Sequence, residues 1–149
     1  MENKSFTATI EVSKSPQDVF KCLKEVPKWW SRDFEGNSKK LNDEFIINHP
    51  NQHYSKQKLI EVVPGKKVVW LVTDSRLNFL KDKTEWTNMK IVFEIAEKGK
   101  QTEVRFTQLG LLPEIECYNA CSNAWTDYVQ NSLRNLIDTG KGQPSPREK

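Results

Sequence analysis

At 149 residues, with 36% apolar and 29% charged side chains, the chain has the makeup of one soluble globular domain. A domain of this length buries roughly 68 to 70% of its unfolded surface without metal or disulfide staples. The net charge of +3 comes from 23 basic and 20 acidic residues scattered as short pairs such as Lys39-Lys40 and Lys66-Lys67, a solvated surface with no nucleic-acid recognition motif, which excludes a nucleic-acid partner.

Phe6, Ala8, Ile10 and Val12 alternate with Thr7, Thr9 and Glu11, the period of a strand with one face buried. Ser15-Pro16-Gln17-Asp18 then supplies a capping serine, a proline for the first helical position and an acid in the first turn, ahead of Val19, Phe20 and Leu23. A short helix is predicted, stopped by Pro27, with a second short helix or turn over Lys28-Trp29-Trp30-Ser31. Adjacent indoles on a helix stand about 100° apart, so one is expected inside and the other at an edge.

Phe34 to Asn42 reads as a polar connection and Glu44 to Ile47 as a strand. His49-Pro50-Asn51-Gln52-His53 is turn chemistry, Tyr54 to Val63 a strand, and Pro64-Gly65 a hairpin turn before Val68 to Val72. Thr73 to Glu85 carries Leu77, Phe79 and Leu80 without a clean period and reads as a long loop or broken edge that could gate a pocket. Thr87 to Ile95 and Glu103 to Thr107 alternate on either side of a turn at Glu97 to Lys100, a second hairpin.

Leu112 to Thr139 reads as one long amphipathic helix, with Cys117, Tyr118, Cys121, Ala124, Trp125, Tyr128, Val129, Leu133, Leu136 and Ile137 on one broad face. Pro113 suits its first turn and Gly140 the position after its last. A helix of about 26 residues spans roughly 39 Å and needs a large curved partner. The predicted fold class is therefore α+β: a curved antiparallel β-sheet wrapped around a long C-terminal α-helix, with two short helices after the first strand. The domain is expected over residues 1–140, followed by a disordered tail over 141–149 rich in Pro, Gly and charge. A sheet curved about a helix leaves a natural pocket between them.

The longest apolar run, Val68 to Val72, falls far short of the ~20 residues of a membrane span, so none is expected. Met1 to Ser5 is polar and carries no signal-peptide pattern. Of three cysteines, Cys117 and Cys121 read as buried free thiols, and a reducing, cytoplasmic location is predicted.

Phe6 to Val12 followed by Ser15-Pro16-Gln17-Asp18-Val19-Phe20, then Gly99 to Val104 leading to Phe106-Thr107-Gln108-Leu109-Gly110-Leu111, and the closing helix with Trp125 together resemble the START-like, birch-pollen-allergen-like superfamily (SRPBCC). Within it the chain is most similar to single-domain homologues of the activator of the heat-shock protein 90 ATPase. The resemblance implies the helix-grip fold with a hydrophobic cavity. It implies no shared catalytic set, since the superfamily spans lipid and steroid carriers, hormone receptors, polyketide cyclases and aromatases, and chaperone activators.

His49 with His53, and Cys117 with Cys121, could each be half of a metal site, but neither has tetrahedral spacing, and no metal or cofactor is predicted. Tyr128, Tyr118, Tyr54, His53, Cys121 and Asp127 are the polar groups available for acid–base or nucleophilic work. No nucleophile elbow, phosphate loop or His-Glu-x-x-His motif accompanies them, and no catalytic residue is assigned. The inner-face set Trp30, Phe45, Trp70, Met89, Ile91, Phe93, Phe106, Cys121, Trp125 and Tyr128 divides between close-packed core and ligand-cavity lining, with Trp30, Trp70 and Trp125 as first choices for the lining. The leading expectation is a binder of a lipophilic or aromatic small molecule without covalent chemistry. The alternatives are a protein-interaction module like the chaperone activators, with a chaperone as partner, and a cyclase-like or hydrolytic enzyme. Oligomeric state is left open.

Overall fold

The computed structural model describes residues 5–49, 53–78, 80–81, 83–113 and 115–144. Seven antiparallel strands form one sheet in the order β1-β7-β6-β5-β4-β3-β2. They are β1 (Phe6–Val12), β2 (Phe34–Gly36), β3 (Glu44–His49), β4 (His53–Val63), β5 (Lys67–Leu77), β6 (Lys90–Lys98) and β7 (Gln101–Leu109). Two short helices, α1 (Pro16–Leu23) and α2 (Val26–Trp29), follow β1, and the chain ends in a helical segment lying across the sheet. This is the helix-grip architecture that the pattern of elements predicts.

Local chemistry explains most of the boundaries. Ser15 caps α1, its hydroxyl accepting the Asp18 N–H at 3.2 Å. Ala8, Ile10 and Val12 are buried on β1 while the residues between them are exposed, and β1 pairs with β7 from Phe6 opposite Gln108 to Val12 opposite Thr102. Register shifts between Lys56 and Gln57 and between Leu59 and Glu61 break the β4–β5 ladder twice, and such bulges bend a sheet. Gly36, on the edge strand β2, has a φ of +103° and lies so close to the Glu44 carbonyl that a Cβ would collide with it.

Four expectations are corrected. The polar connection after Phe34 contains a short strand, β2, which pairs with β3 and extends the sheet. The fourth long strand does not stop at Val72: β5 runs on to Leu77, because Ser55 and Tyr54 of β4 continue to pair with Ser75 and Arg76. Pro27 sits within the first turn of α2 and so starts that helix, besides ending α1. Trp29 and Trp30 are both buried, at 0% and 3% exposure, because α2 is one turn long and is enclosed by the sheet on one side and the C-terminal segment on the other. The expected turn at Pro50–Gln52 and the side chain of Phe79 lie outside the described residues.

The C-terminal helix also departs from expectation. It begins at Tyr118, not Leu112, and consists of α3 (Tyr118–Asp127), a π-type turn (Tyr128–Leu133) and α4 (Arg134–Thr139). In the π-type turn the Arg134 N–H reaches back five residues to the Val129 carbonyl. The cause is visible in the spacing of the buried side chains Cys117, Cys121, Trp125, Val129, Leu133 and Ile137, all four residues apart. In a regular α-helix each such step drifts by about 40°, so the stripe would wind off the sheet, and a wider turn takes up the drift. Gly140, at a φ of +86°, then ends the helix. Cys117 and Cys121, expected as free thiols, stand with Cα atoms 5.5 Å apart and their sulfurs against each other, since one helical turn puts both on the same face.

The described start of the C-terminal tail is tied down. Ser132 Oγ, buried under α2, donates to the Trp29 carbonyl at 2.7 Å and accepts the Gln143 N–H at 2.7 Å. Ser132→Ala is expected to lower stability by about 1–3 kcal/mol, because it leaves the buried Trp29 carbonyl unpaired and frees the exposed Gln143 from its anchor. Urea unfolding measures this, and a loss well under 1 kcal/mol would show that the bond contributes little.

Candidate functional site

The interior between sheet and helix is built from indoles. Trp70 on β5 stacks against Trp29 at 6.4 Å and against Trp30 at 5.8 Å, nearly parallel to the latter. Trp30 meets Trp125 at 4.7 Å, and Trp125 stacks on Trp86 at 6.1 Å. All five tryptophans thus form one contiguous series, extended by Phe45, Phe93 and Phe106. The Trp125 indole N–H donates to Gln108 Oε1 at 2.7 Å, and the Gln108 amide donates to Met89 Sδ at 3.1 Å, so the buried glutamine holds that indole in one orientation.

Beside this series lies a cavity of about 140 Å³. Trp30, Trp86 and Trp125 form its aromatic walls, Ile47, Leu77 and Cys121 its aliphatic and sulfur surface, and His49, His53 and Tyr128 its polar side. Ala120 and Ala124, one helical turn apart on α3, also border it and are solvent-exposed. Small residues there leave the cavity open between the helix and the ends of β3, β4 and β5.

Of the residues singled out in the sequence, Trp30, Cys121, Trp125 and Tyr128 border this cavity. Phe45, Trp70, Met89, Ile91, Phe93 and Phe106 lie in the packed core behind it, none more than 9% exposed. Trp86 escaped sequence reasoning because it sits just after the aperiodic stretch 73–85, on no recognisable face. Its one signal is that a large apolar side chain stands in a charged segment. His49 and His53 were considered only as metal ligands or a base; among the described residues no group of three or more metal-ligating side chains exists.

The segment carrying Trp86 is pinned to the start of α3. Glu85 accepts the Cys117 N–H at 3.1 Å, and Glu116 accepts the Lys81 N–H with both carboxylate oxygens, at 3.0 and 3.1 Å. Each side thus satisfies a backbone donor of the other. Thr87 joins in through a 2.8 Å hydrogen bond with Ser75 of β5.

Two serine–histidine pairs form the polar side. Ser31 Oγ lies 2.8 Å from His49 Nε2 and accepts the Asp33 N–H at 3.0 Å. Ser55 Oγ lies 2.7 Å from His53 Nε2 and accepts a Gln57 amide N–H at 2.7 Å. The imidazoles stand 6.0 Å apart, and His53 meets the Trp86 ring at 5.0 Å. Burial, helped by neighbouring His49, pushes the His53 pKa down from 6.5 to about 3, so the ring is neutral.

An antiparallel sheet closed over a C-terminal helix with an indole-walled hollow between them defines a helix-grip domain. The chain belongs to the family described as Activator of Hsp90 ATPase homolog 1-like protein, whose model matches residues 14–138. The START-like likeness read from the sequence is borne out with it. No curated protein sequence matches the chain. Among solved structures it is similar to the Aha1 dimer from Colwellia psychrerythraea, with 21% identity over 93% of this chain and 98% of that one at a TM-score of 0.74. It is also similar to SSP2350 from Staphylococcus saprophyticus, with 9% identity over 95% and 98% of the chains at 0.70. DynU16, from the dynemicin biosynthetic locus, shares 10% identity over 95% of this chain and 49% of that one at 0.67. At such identities the likeness is one of fold. No described helix is long and apolar enough to cross a membrane.

The depressed His53 pKa has a consequence for stability. Above pH 6.5 the ring is neutral in both states; below it the unfolded chain takes up a proton that the folded one refuses, so stability falls towards pH 3. The expected slope is up to about 1.4 kcal/mol per pH unit. Unfolding between pH 6.5 and 5 measures it, and His53→Gln is expected to flatten the slope over that range.

Proposed function

We propose that this domain binds a small apolar or aromatic molecule, about the size of one substituted ring, in the cavity between the sheet and the C-terminal helix, without covalent chemistry. The observation that carries the reading is a hollow of about 140 Å³ walled by three indoles and bordered on its open side by two alanines. A cavity of about 150 Å³ lined by apolar side chains stays dry and accepts benzene, which sets the scale of the occupant. Sterols and long acyl chains are too large for such a space in its present shape. Rigid aromatic walls with few polar groups are the usual makeup of a small-molecule site.

A second reading, an interaction module acting on a chaperone, is supported by the family, whose description names an activator of a chaperone ATPase. The only large apolar side chains exposed among the described residues are Leu41 and Val63, one in the loop before β3 and one at the end of β4. They form no broad apolar face of the kind that marks many protein interfaces, so the cavity is the stronger candidate.

Ala124→Phe places a ring in the mouth of the cavity from an exposed position. Titration with toluene, followed by tryptophan fluorescence and calorimetry, is expected to saturate in the parent chain and to fail in the variant. Stability should change by no more than about 0.5 kcal/mol, as is usual for surface positions. Equal binding by both chains would place the toluene site elsewhere.

A further inference from the structure

Cys117 is the residue before α3, and Cys121 follows one turn later. The Cys121 N–H donates to the Cys117 carbonyl at 2.8 Å, so the backbone between them is already a closed turn. Their Cα separation of 5.5 Å lies inside the range of roughly 4.4 to 6.8 Å that a disulfide spans without backbone movement. The pair can therefore be bridged as it stands. The third cysteine, Cys22 on α1, is half-buried and has no sulfur partner. Burial pushes its thiol pKa up, which leaves less of the reactive thiolate.

The two sulfurs differ in access. Cys117 is 0% exposed, whereas Cys121 is 5% exposed and borders the cavity between sheet and helix. The mouth of that cavity, at Ala120 and Ala124, is open to solvent. A hollow of about 140 Å³ takes hydrogen peroxide easily, since a water molecule's share of liquid volume is about 30 Å³. One thiol thus meets whatever enters the cavity, and the other stands behind it. This is how a reacting and a resolving thiol are arranged: a sulfenic acid on the first is captured by the second before it oxidises further.

We propose that Cys117 and Cys121 form a reversible oxidative modification site for hydrogen peroxide, in which Cys121 is the sulfur that reacts and Cys117 the one that resolves. Cys121, as its thiolate, attacks one peroxide oxygen; the O–O bond breaks, and the departing hydroxide takes up the proton the thiol released and leaves as water. Cys117 Sγ then attacks the sulfur of the Cys121 sulfenic acid. The S–O bond breaks, and the hydroxyl leaves with the Cys117 proton as a second water. Two thiols lose two electrons in all, and one peroxide is reduced to two waters. A small thiol reductant returns the pair by thiol–disulfide exchange. The Cys117 N–H is the group that Glu85 holds, so the bridge fixes the turn to which the Trp86 segment is fastened. The cavity serves here as the entry for peroxide, and the site requires no bound ligand.

The test uses the full chain, reduced with dithiothreitol and freed of it before hydrogen peroxide is added. The chain has three cysteines, so alkylation with N-ethylmaleimide in denaturant, read by intact-mass spectrometry, should count three labels before peroxide and one after. Peptide mapping should place the bridge between Cys117 and Cys121, and renewed dithiothreitol should restore all the labels. In Cys117→Ser, dimedone should trap a sulfenic acid at Cys121; in Cys121→Ser, Cys117 should stay reduced over the same time. Ala124→Phe, which fills the mouth of the cavity, should slow bridge formation several-fold. In the unmutated, reduced and folded chain, iodoacetamide should label Cys121 ahead of Cys117, which gives the same order without a substitution. An unchanged label count after peroxide, a bridge through Cys22, Cys117 reacting first, or an unchanged rate in Ala124→Phe would overturn the proposal.

Discussion

The contiguous packing of five indoles between a curved sheet and one helical segment is the constraint on which the rest of the molecule depends. Trp29 and Trp30 enter from α2, Trp70 from β5, Trp86 from the segment before β6, and Trp125 from α3. Four separate parts of the chain are thereby committed to one another through large rigid surfaces. Aromatic pairs contribute beyond simple burial, and flat rings cannot deform to fill every gap left by a curved wall. The cavity lies where the series ends, at the edges of Trp30, Trp86 and Trp125, against strands that bend away from the helix.

Polar groups inside this apolar interior are few, and most are matched. Gln108 takes the Trp125 N–H, Ser132 links α2 to the tail, and Thr102 donates to the Lys14 carbonyl at 2.6 Å. Each joins segments distant in sequence, so each helps to specify one arrangement of the core. The mismatches cluster. Trp86 Nε1 and Gln57 Oε1 are the buried side-chain atoms without a partner among the described residues; Trp86 borders the cavity, and Gln57 is joined to it through Ser55 and His53. An unsatisfied buried group is costly, and its occurrence beside a hollow is more informative than it would be in a solid core.

Membership of the family fixes the frame and leaves the chemistry to the site, because one fold supports unrelated activities. In this chain the frame contributes the curved sheet and the covering helix. The individual features are the alanines at the mouth, the paired serines and histidines, and the two glutamates that fasten the Trp86 segment to the start of α3.

Local pattern alone determined much of the architecture: the alternation in β1, β6 and β7, the capping serine of α1, the Pro64-Gly65 turn, and the apolar stripe of the final helix. These signals depend on neighbours within a few residues, and that is why they were legible. The division of the aromatic set into core and cavity wall was not legible, since Trp70 and Trp30 have the same chemistry and differ only in what the sheet's curvature places beside them. The reach of β5 to Leu77, the burial of both Trp29 and Trp30, the π-type turn that keeps a four-residue stripe against the sheet, and the place of Trp86 were likewise decided by tertiary structure. Each depends on a surface contributed by residues far along the chain, and a local period carries no record of how such a surface bends.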